Sequence, residues 1–266
     1  MGPERARHTG GVRSLRDNPD QSWREYGERD PYFGVLTEDK YRRSNLTEET
    51  LKEFFASGEA LIAATLGILH DHVTGSLQKN DALDFGCGVG RLVIPLASRF
   101  ANVTGIDISE AYRAEALNNC RSRGINNVQF LEALTPLLES ESRFDLVHSS
   151  IVFNHIPWAR GKDIIAQMFE LLRPRGAMAV QVMLNSRTSP LRRAGSWLRR
   201  NFLPVNWLVN LARGRPAHEP LMQGNAYPLE EMLPMLKMAG AGNFLIELEK
   251  TPGGHVFATV FCVKVS

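Results

Sequence analysis

Leu83-Asp84-Phe85-Gly86-Cys87-Gly88-Val89-Gly90-Arg91 runs from an apolar strand into three glycines at alternate positions and then toward a helix. Gly lets the backbone turn sharply, and its missing Cβ lets a ligand lie against the chain. A helix N-terminus just beyond adds unpaired N–H groups that attract acceptor atoms. Further on, Val103-Thr104-Gly105-Ile106-Asp107 is a second apolar run that ends in a carboxylate. A carboxylate at the tip of the second strand is placed to accept hydrogen bonds from both ribose hydroxyls of an adenosine. Together the two segments describe a nucleoside site on an open α/β sheet.

The glycine spacing sorts the possible nucleosides. Dinucleotide sites space their glycines G-x-G-x-x-G. Here the third Gly comes one residue early, and Arg91 occupies the expected place. A pyrophosphate needs several backbone donors at the helix tip, whereas a sulfonium nucleoside carries no phosphate. Asp84-Phe85-Gly86-Cys87-Gly88-Val89-Gly90 resembles the first motif of the class I S-adenosylmethionine-dependent methyltransferases, acidic-x-G-x-G-x-G. Phe144 to Phe153, followed by Asn154-His155-Ile156-Pro157, is similar to that family's fourth-strand motif. Leu171-Leu172-Arg173-Pro174-Arg175-Gly176 is similar to its turn into strand five, with Arg175 where Gly is usual. The resemblance covers about Leu83 to Leu184 and is looser beyond.

The resemblance implies S-adenosylmethionine as cofactor, S-adenosylhomocysteine as product, and no metal. It implies that Gly86, Cys87, Gly88 and Gly90 let the backbone approach the methionine part. Asp84 would orient the ammonium, Asp107 would hold the ribose, and Ile108 would line the adenine. Glu132 and Ala133 would border the adenine, although many relatives have Asp where Glu132 stands. Ser149 would face the cofactor from the end of strand four.

Composition bounds the rest. A chain of 266 residues suits one α/β domain with additions. Cys87, Cys120 and Cys262 are far apart and odd in number, which reads as reduced thiols in a cytoplasmic protein. No run of eighteen apolar residues exists, so no spanning helix is expected. The polar stretch from Met1 to Asp20 reads as a frayed tail rather than a secretory signal. Charge is uneven: Leu171 to His218 holds nine arginines and no Lys, Asp or Glu, so the remainder is net acidic.

Alternating strands (82–85, 103–107, 128–131, 144–150, 177–184) and helices (near 90–99, 109–123, 159–172) imply a parallel sheet with right-handed crossovers. Ser109 is a natural cap for the second of these helices. Two more strands are expected at Phe244–Glu249 and Val256–Val265, after a short helix from Leu229 to Met238. By resemblance the fold is a three-layer Rossmann-like α/β sandwich with a seven-stranded, mostly parallel sheet in the order 3-2-1-4-5-7-6. Residues 1–75 read as a tail, an aromatic segment (Trp23, Tyr26, Tyr32, Phe33) and a long helix capped at Asn45. That helix either packs on the sheet edge or sets the aromatic segment over the site as a lid. Residues 76–266 read as the methyltransferase domain. Its insertion, at about 185–225, starts with Ser189 and Pro190 at a helix N-terminus. Leu191, Ala194, Gly195, Leu198 and Phe202 fall on one side of that helix, and Arg192, Arg193, Arg199 and Arg200 on the other. A second apolar stretch, Val205 to Ala212, follows.

Methyl transfer from a sulfonium is an in-line displacement, and positioning alone supplies roughly 7–11 kcal/mol of barrier lowering. A hydroxyl acceptor also needs a base. His155, just beyond strand four, has an ordinary pKa near about 6.5 that suits proton removal at neutral pH. The competing reading is a His that braces the loop. Tyr227 either reaches the acceptor or packs, and His148, mid-strand, reads as structural. Clustered carboxylates for metal-assisted catechol chemistry are missing after strand four. So are the Asn/Asp-Pro-Pro-aromatic signature of DNA-base methylation and the cysteines of arsenic methylation. O-methylation of a small-molecule hydroxyl of sugar, glycan or natural-product type fits best. Asn154, Arg192 and Arg199 are candidate acceptor contacts, the arginines for an anionic group. Alternatives are an RNA or lipid-linked acceptor held by the arginine-rich insertion, and a non-catalytic S-adenosylmethionine-binding module. The plain reading of the arginines is a solvated face on a lid helix. RNA phosphates and an anionic lipid surface with Trp197 and Trp207 at the headgroups rank behind a small-molecule acceptor. The oligomeric state has no sequence signal.

Overall fold

The computed structural model describes residues 19–140, 143–186, 203–212 and 224–265, with 195, 198, 199, 216, 217, 219 and 222. Seven strands form one sheet: β1 (Asp81–Phe85), β2 (Asn102–Ile106), β3 (Val128–Leu131), β4 (Phe144–Ser149), β5 (Leu172–Ser186), β6 (Ala241–Lys250) and β7 (His255–Lys264). Their order is β3-β2-β1-β4-β5-β7-β6, as expected. The first five strands are parallel. β7 enters antiparallel between β5 and β6. The helices are α1 (Pro19–Arg29), α2 (Pro31–Val35), α3 (Glu48–Ile68), α4 (Val93–Ala97), α5 (Glu110–Arg121), α6 (Thr135–Glu139), α7 (Trp158–Glu170), α8 (Leu203–Ala212) and α9 (Leu229–Met238).

Strand alternation separates two cores. Ala82, Leu146 and Ala179 point into one cluster with Ile62, Leu92 and Leu96. Their chain neighbours Leu83, Val147 and Val180 point into the other, with Ile165, Met168 and Leu236. Period-two side chains on a sheet covered on both faces produce this split. Every residue of β4 is buried. Each fully buried Leu or Val contributes roughly 1.5–3 kcal/mol relative to exposure. At the N-terminal ends of the strands, Arg173 pairs with Asp81 at 2.6 Å and Asp145 at 3.0 Å. Asp145 also accepts from the Asn80 and Asp81 N–H groups, which ties β1 to β4.

Several local expectations change. α3 is capped by Thr47, not Asn45. The Thr47 hydroxyl accepts from Thr50 N at 3.2 Å, and the Thr50 hydroxyl accepts from Thr47 N at 2.8 Å. Asn45 instead donates its side-chain amide to the Asp39 carbonyl. The helix expected over 90–99 shrinks to the five residues of α4. Gly90 has φ +84°, outside the helical region, so the helix starts only after it. Ser109 does cap α5, accepting from Tyr112 N. Arg175 adopts φ +68° in the turn where Gly is usual.

The chain divides into two compact units, residues 19–187 with 222–266, and residues 1–18 with 188–221. In the second, Asn210 of α8 is 1% exposed. It accepts from Arg199 Nη2 at 3.0 Å and donates to the Ala217 and Glu219 carbonyls at 3.0 and 2.9 Å. The helix expected to begin at Ser189, with Arg192, Arg193 and Trp197, lies outside the described residues apart from Gly195, Leu198 and Arg199. No helix among the described residues is long and apolar enough to cross a membrane.

Candidate active site

β1 ends at Phe85, and the glycine loop folds back over the end of β2. Gly86 N and Cys87 N both donate to the Ile106 carbonyl, at 2.7 and 2.9 Å. Asp107 then grips two loops at once. Its Oδ2 accepts from Gly88 N at 3.0 Å, and its Oδ1 accepts from Ser109 N at 2.9 Å. Burial raises the Asp107 pKa to about 6, against the pull of the bonds from Ser109 and Gly88. Gly86 and Gly88 have φ +75° and +51°. A Cβ on Gly86 would lie 2.2 Å from Val152, and one on Gly88 2.5 Å from Val35. Both positions therefore require Gly on two counts, conformation and space.

A cavity opens over this loop. Gly86, Gly88, Asp107 and Ile108 line one part of it, and Ser150, Ile151, Val152 and His155 another. Ile151 sits at φ +61°, a strained conformation for a β-branched residue. Gln181 of β5 holds it there, accepting from Ile151 N at 3.0 Å and from the Ser150 hydroxyl at 3.2 Å. His155 follows in a short turn, with the Asn154 side-chain amide 3.0 Å from its Nε2. The Trp23 ring lies 4.5 Å from the His155 ring, centre to centre.

Two charged residues of the glycine loop region also reach the cavity. Asp84 is 2% exposed and accepts from His148 Nδ1 at 2.8 Å, which gives His148 its structural role. Arg91 is 4% exposed. Its Nη1 donates to the Ser57 hydroxyl at 3.2 Å, while its Nε has no hydrogen-bond partner among the described residues. Burial lowers the Arg91 pKa, and the charge of Asp84 opposes that. Pro19, Asp20 and Trp23 of α1 and Gly34 and Val35 of α2 close the cavity from above. Asp20 pairs with Arg160 of α7 at 2.7 Å, and Arg24 with Glu132 at 3.0 Å.

Other expected contacts lie elsewhere. Glu132 and Ala133 are exposed and do not line the cavity. Glu132 is drawn outward by Arg24 and Arg113. Ser149 is buried below the cavity and donates to the Phe85 carbonyl. Gly90 is buried against Ala116. Cys87 lines the cavity, but its thiol is packed against Gly105, and burial pushes its pKa well up. Asn154 is not among the residues that line the cavity; its side-chain amide lies against His155, and its backbone carbonyl accepts from Asn225 N at 2.7 Å. Tyr227 is not among the residues that line the cavity. It is 2% exposed, donates its hydroxyl to the Ile156 carbonyl at 2.9 Å and packs between Phe153 and Trp158. Arg199 is held by Asn210 in the other unit, and Arg192 lies outside the described residues. Trp23 belongs to the aromatic segment read as a possible lid, whereas Val35, Ile151, Val152, Arg160 and Gln181 were not singled out from sequence, because no local pattern marks them. Arg91 had a signal, as the residue in place of a third glycine.

Residues 82–176 match the family model described as "Methyltransferase domain". The trans-aconitate 2-methyltransferase of Deinococcus radiodurans is 34% identical over 105 residues, 39% of this chain and 38% of that protein. A ubiquinone biosynthesis O-methyltransferase of Rickettsia akari is 28% identical over 43% of this chain and 44% of that protein. The alignment thus spans less than half the length of either relative. The fold is similar to a magnesium protoporphyrin IX methyltransferase from Synechocystis PCC 6803, crystallised with bound S-adenosylmethionine. The TM-score is 0.58 at 18% identity, over 93% of this chain and 97% of that one.

Proposed function

We propose that this chain, which carries a class I S-adenosylmethionine-dependent methyltransferase domain, methylates a hydroxyl of a small organic molecule. The observation that carries the reading is one cavity that joins the Gly86–Gly88 loop and Asp107 to His155 under a common cap.

The residues present fit the cofactor. A Cβ at Gly86 or Gly88 would run into Val152 or Val35, so only bare backbone fits on this wall of the cavity. Each Asp107 oxygen spends one lone pair on a backbone N–H and keeps another for a ribose hydroxyl. Ile106 and Ile108 offer apolar surface to a base. Arg91, with its unpartnered Nε, and Asp84 suit the carboxylate and ammonium of an amino acid. When bound, the sulfonium supplies an electrophilic methyl group.

The chain's own task is to place a hydroxyl in line and to take its proton. His155 is the candidate base: Trp23 packs on its ring, and the Asn154 amide, which donates to Nε2 at 3.0 Å, gives up that bond when Nε2 takes the proton. The strained backbone at Ile151, pinned by Gln181, fixes the loop that carries His155. The cap of α1 and α2 excludes water during transfer. Labelled S-adenosylmethionine incubated with hydroxyl-bearing metabolites tests this. Label should move to a small-molecule hydroxyl and be lost with His155→Gln. Retained cofactor with no transfer to any acceptor would make the chain a binding module instead.

A further inference from the structure

We propose that the unit holding residues 188–221 docks on the surface of an anionic lipid bilayer through α8. This goes beyond the transfer reaction and does not depend on it.

Leu208 and Leu211 are 67% and 60% exposed, and Trp207 and Leu198 are also exposed. At 100° per residue, positions 207, 208 and 211 share one side of the helix. Asn210, about 160° round the helix from Leu208 and about 100° from Leu211, is the anchor: it is buried and bonded to Arg199, Ala217 and Glu219. The helix therefore cannot turn its leucines inward without breaking three hydrogen bonds. The charge of the segment that carries this helix is of one sign. Residues 188–221 contain six arginines and a single acidic residue, Glu219. Glu219 is itself buried, so no carboxylate of this segment faces outward.

Exposed leucines with Trp, set in an arginine-rich and acid-free segment, match a helix lying in a lipid interface. The arginines meet anionic headgroups, and the apolar side enters the acyl boundary. A ten-residue helix is about 15 Å long, too short for a hydrocarbon core of about 30 Å, so it lies flat rather than spanning. RNA would use the arginines but leaves Leu208 and Leu211 without purpose. A second copy of this cationic segment would be repelled.

The test uses the full chain in flotation with phosphatidylcholine vesicles, with and without phosphatidylglycerol. Binding should require phosphatidylglycerol and fall at high salt. The double variant Leu208→Glu with Leu211→Glu should lose binding by at least about tenfold. A second variant, Leu208→Ser with Leu211→Ser, should show the same loss without adding charge. S-adenosylhomocysteine affinity should be unchanged in both, which separates lost docking from lost folding. The proposal is overturned by equal flotation of variants and wild type, or by equal binding to neutral vesicles. It is also overturned by RNA retention without vesicle binding, or by a dimer that the same substitutions dissolve.

Discussion

Replacing Asp107 by Ala should weaken cofactor binding far more than it weakens the fold, and the structure gives both magnitudes. A carboxylate whose pKa is raised from 3.8 to about 6 costs about 3 kcal/mol to keep ionised at pH 7. Removing it relieves that cost. The Gly88 and Ser109 N–H groups then lose their acceptor, at about 1 kcal/mol each in a cavity that water can enter. The unliganded variant should therefore match the wild type at pH 7 within about 1 kcal/mol. The sign follows from the raised pKa: the folded state holds the Asp107 proton more tightly than the unfolded chain. The ionisation penalty is absent below pH 3.8 and grows as pH rises through about 6. Near pH 4 the variant should then be less stable than wild type by about 2 kcal/mol. Binding behaves differently. Two hydroxyl bonds to a charged acceptor are worth at least about 3 kcal/mol, so S-adenosylhomocysteine should bind more than about a hundredfold more weakly. In the wild type its affinity should fall about tenfold from pH 7 to pH 5, as Asp107 takes up its proton, and the variant should show no such slope. Calorimetric titration across that range, with urea melts of the unliganded forms, reads every quantity. Binding by Asp107→Ala within about threefold of wild type would refute the ribose assignment.

His155→Gln should lower kcat by about a hundredfold or more while leaving S-adenosylhomocysteine affinity within about twofold; an unchanged kcat would reduce His155 to a brace. Tyr227→Phe should cost about 1 kcal/mol through its lost bond to Ile156 and leave turnover intact, as measured by urea melts and initial rates. Gly161→Ala places a Cβ 1.9 Å from the Tyr227 hydroxyl and should destabilise by about 1–3 kcal/mol, with partial rescue when Tyr227→Phe is added. Asp20→Asn breaks a partly exposed ion pair worth under about 1 kcal/mol, so melting should barely move, while stopped-flow release of S-adenosylhomocysteine should speed up. An unchanged release rate would remove the cap from the binding pathway.

The sheet and the heart of the cavity were legible in the chain. Alternate glycines, an acidic end to the second strand and period-two apolar runs are local patterns. They act through φ, through side-chain alternation and through the reach of one residue to the next. Gly86, Gly88 and Asp107 meet because β1 and β2 are adjacent parallel strands whose tips lie side by side.

Local pattern did not extend to the direction of longer side chains. Glu132 sits after β3 as expected, but Arg24, from more than a hundred residues earlier, draws it away from the cavity. Tyr227 stands where an acceptor contact was expected, and a carbonyl of the loop after β4 captures its hydroxyl in the core. Trp23 on His155, Val35 on Gly88 and Gln181 on Ile151 join segments that no short motif connects. The sequence by itself determined the alternation of strands and helices, the glycine turn and the carboxylate after the second strand, because backbone conformation and side-chain period are properties of neighbours along the chain, whereas the sheet order came from the family resemblance. Which polar groups reach the cavity, and whether the aromatic segment caps it or the helix after it merely packs on the sheet edge, was decided only by the tertiary structure, because each buried donor and acceptor takes the partner that packing brings within about 3 Å.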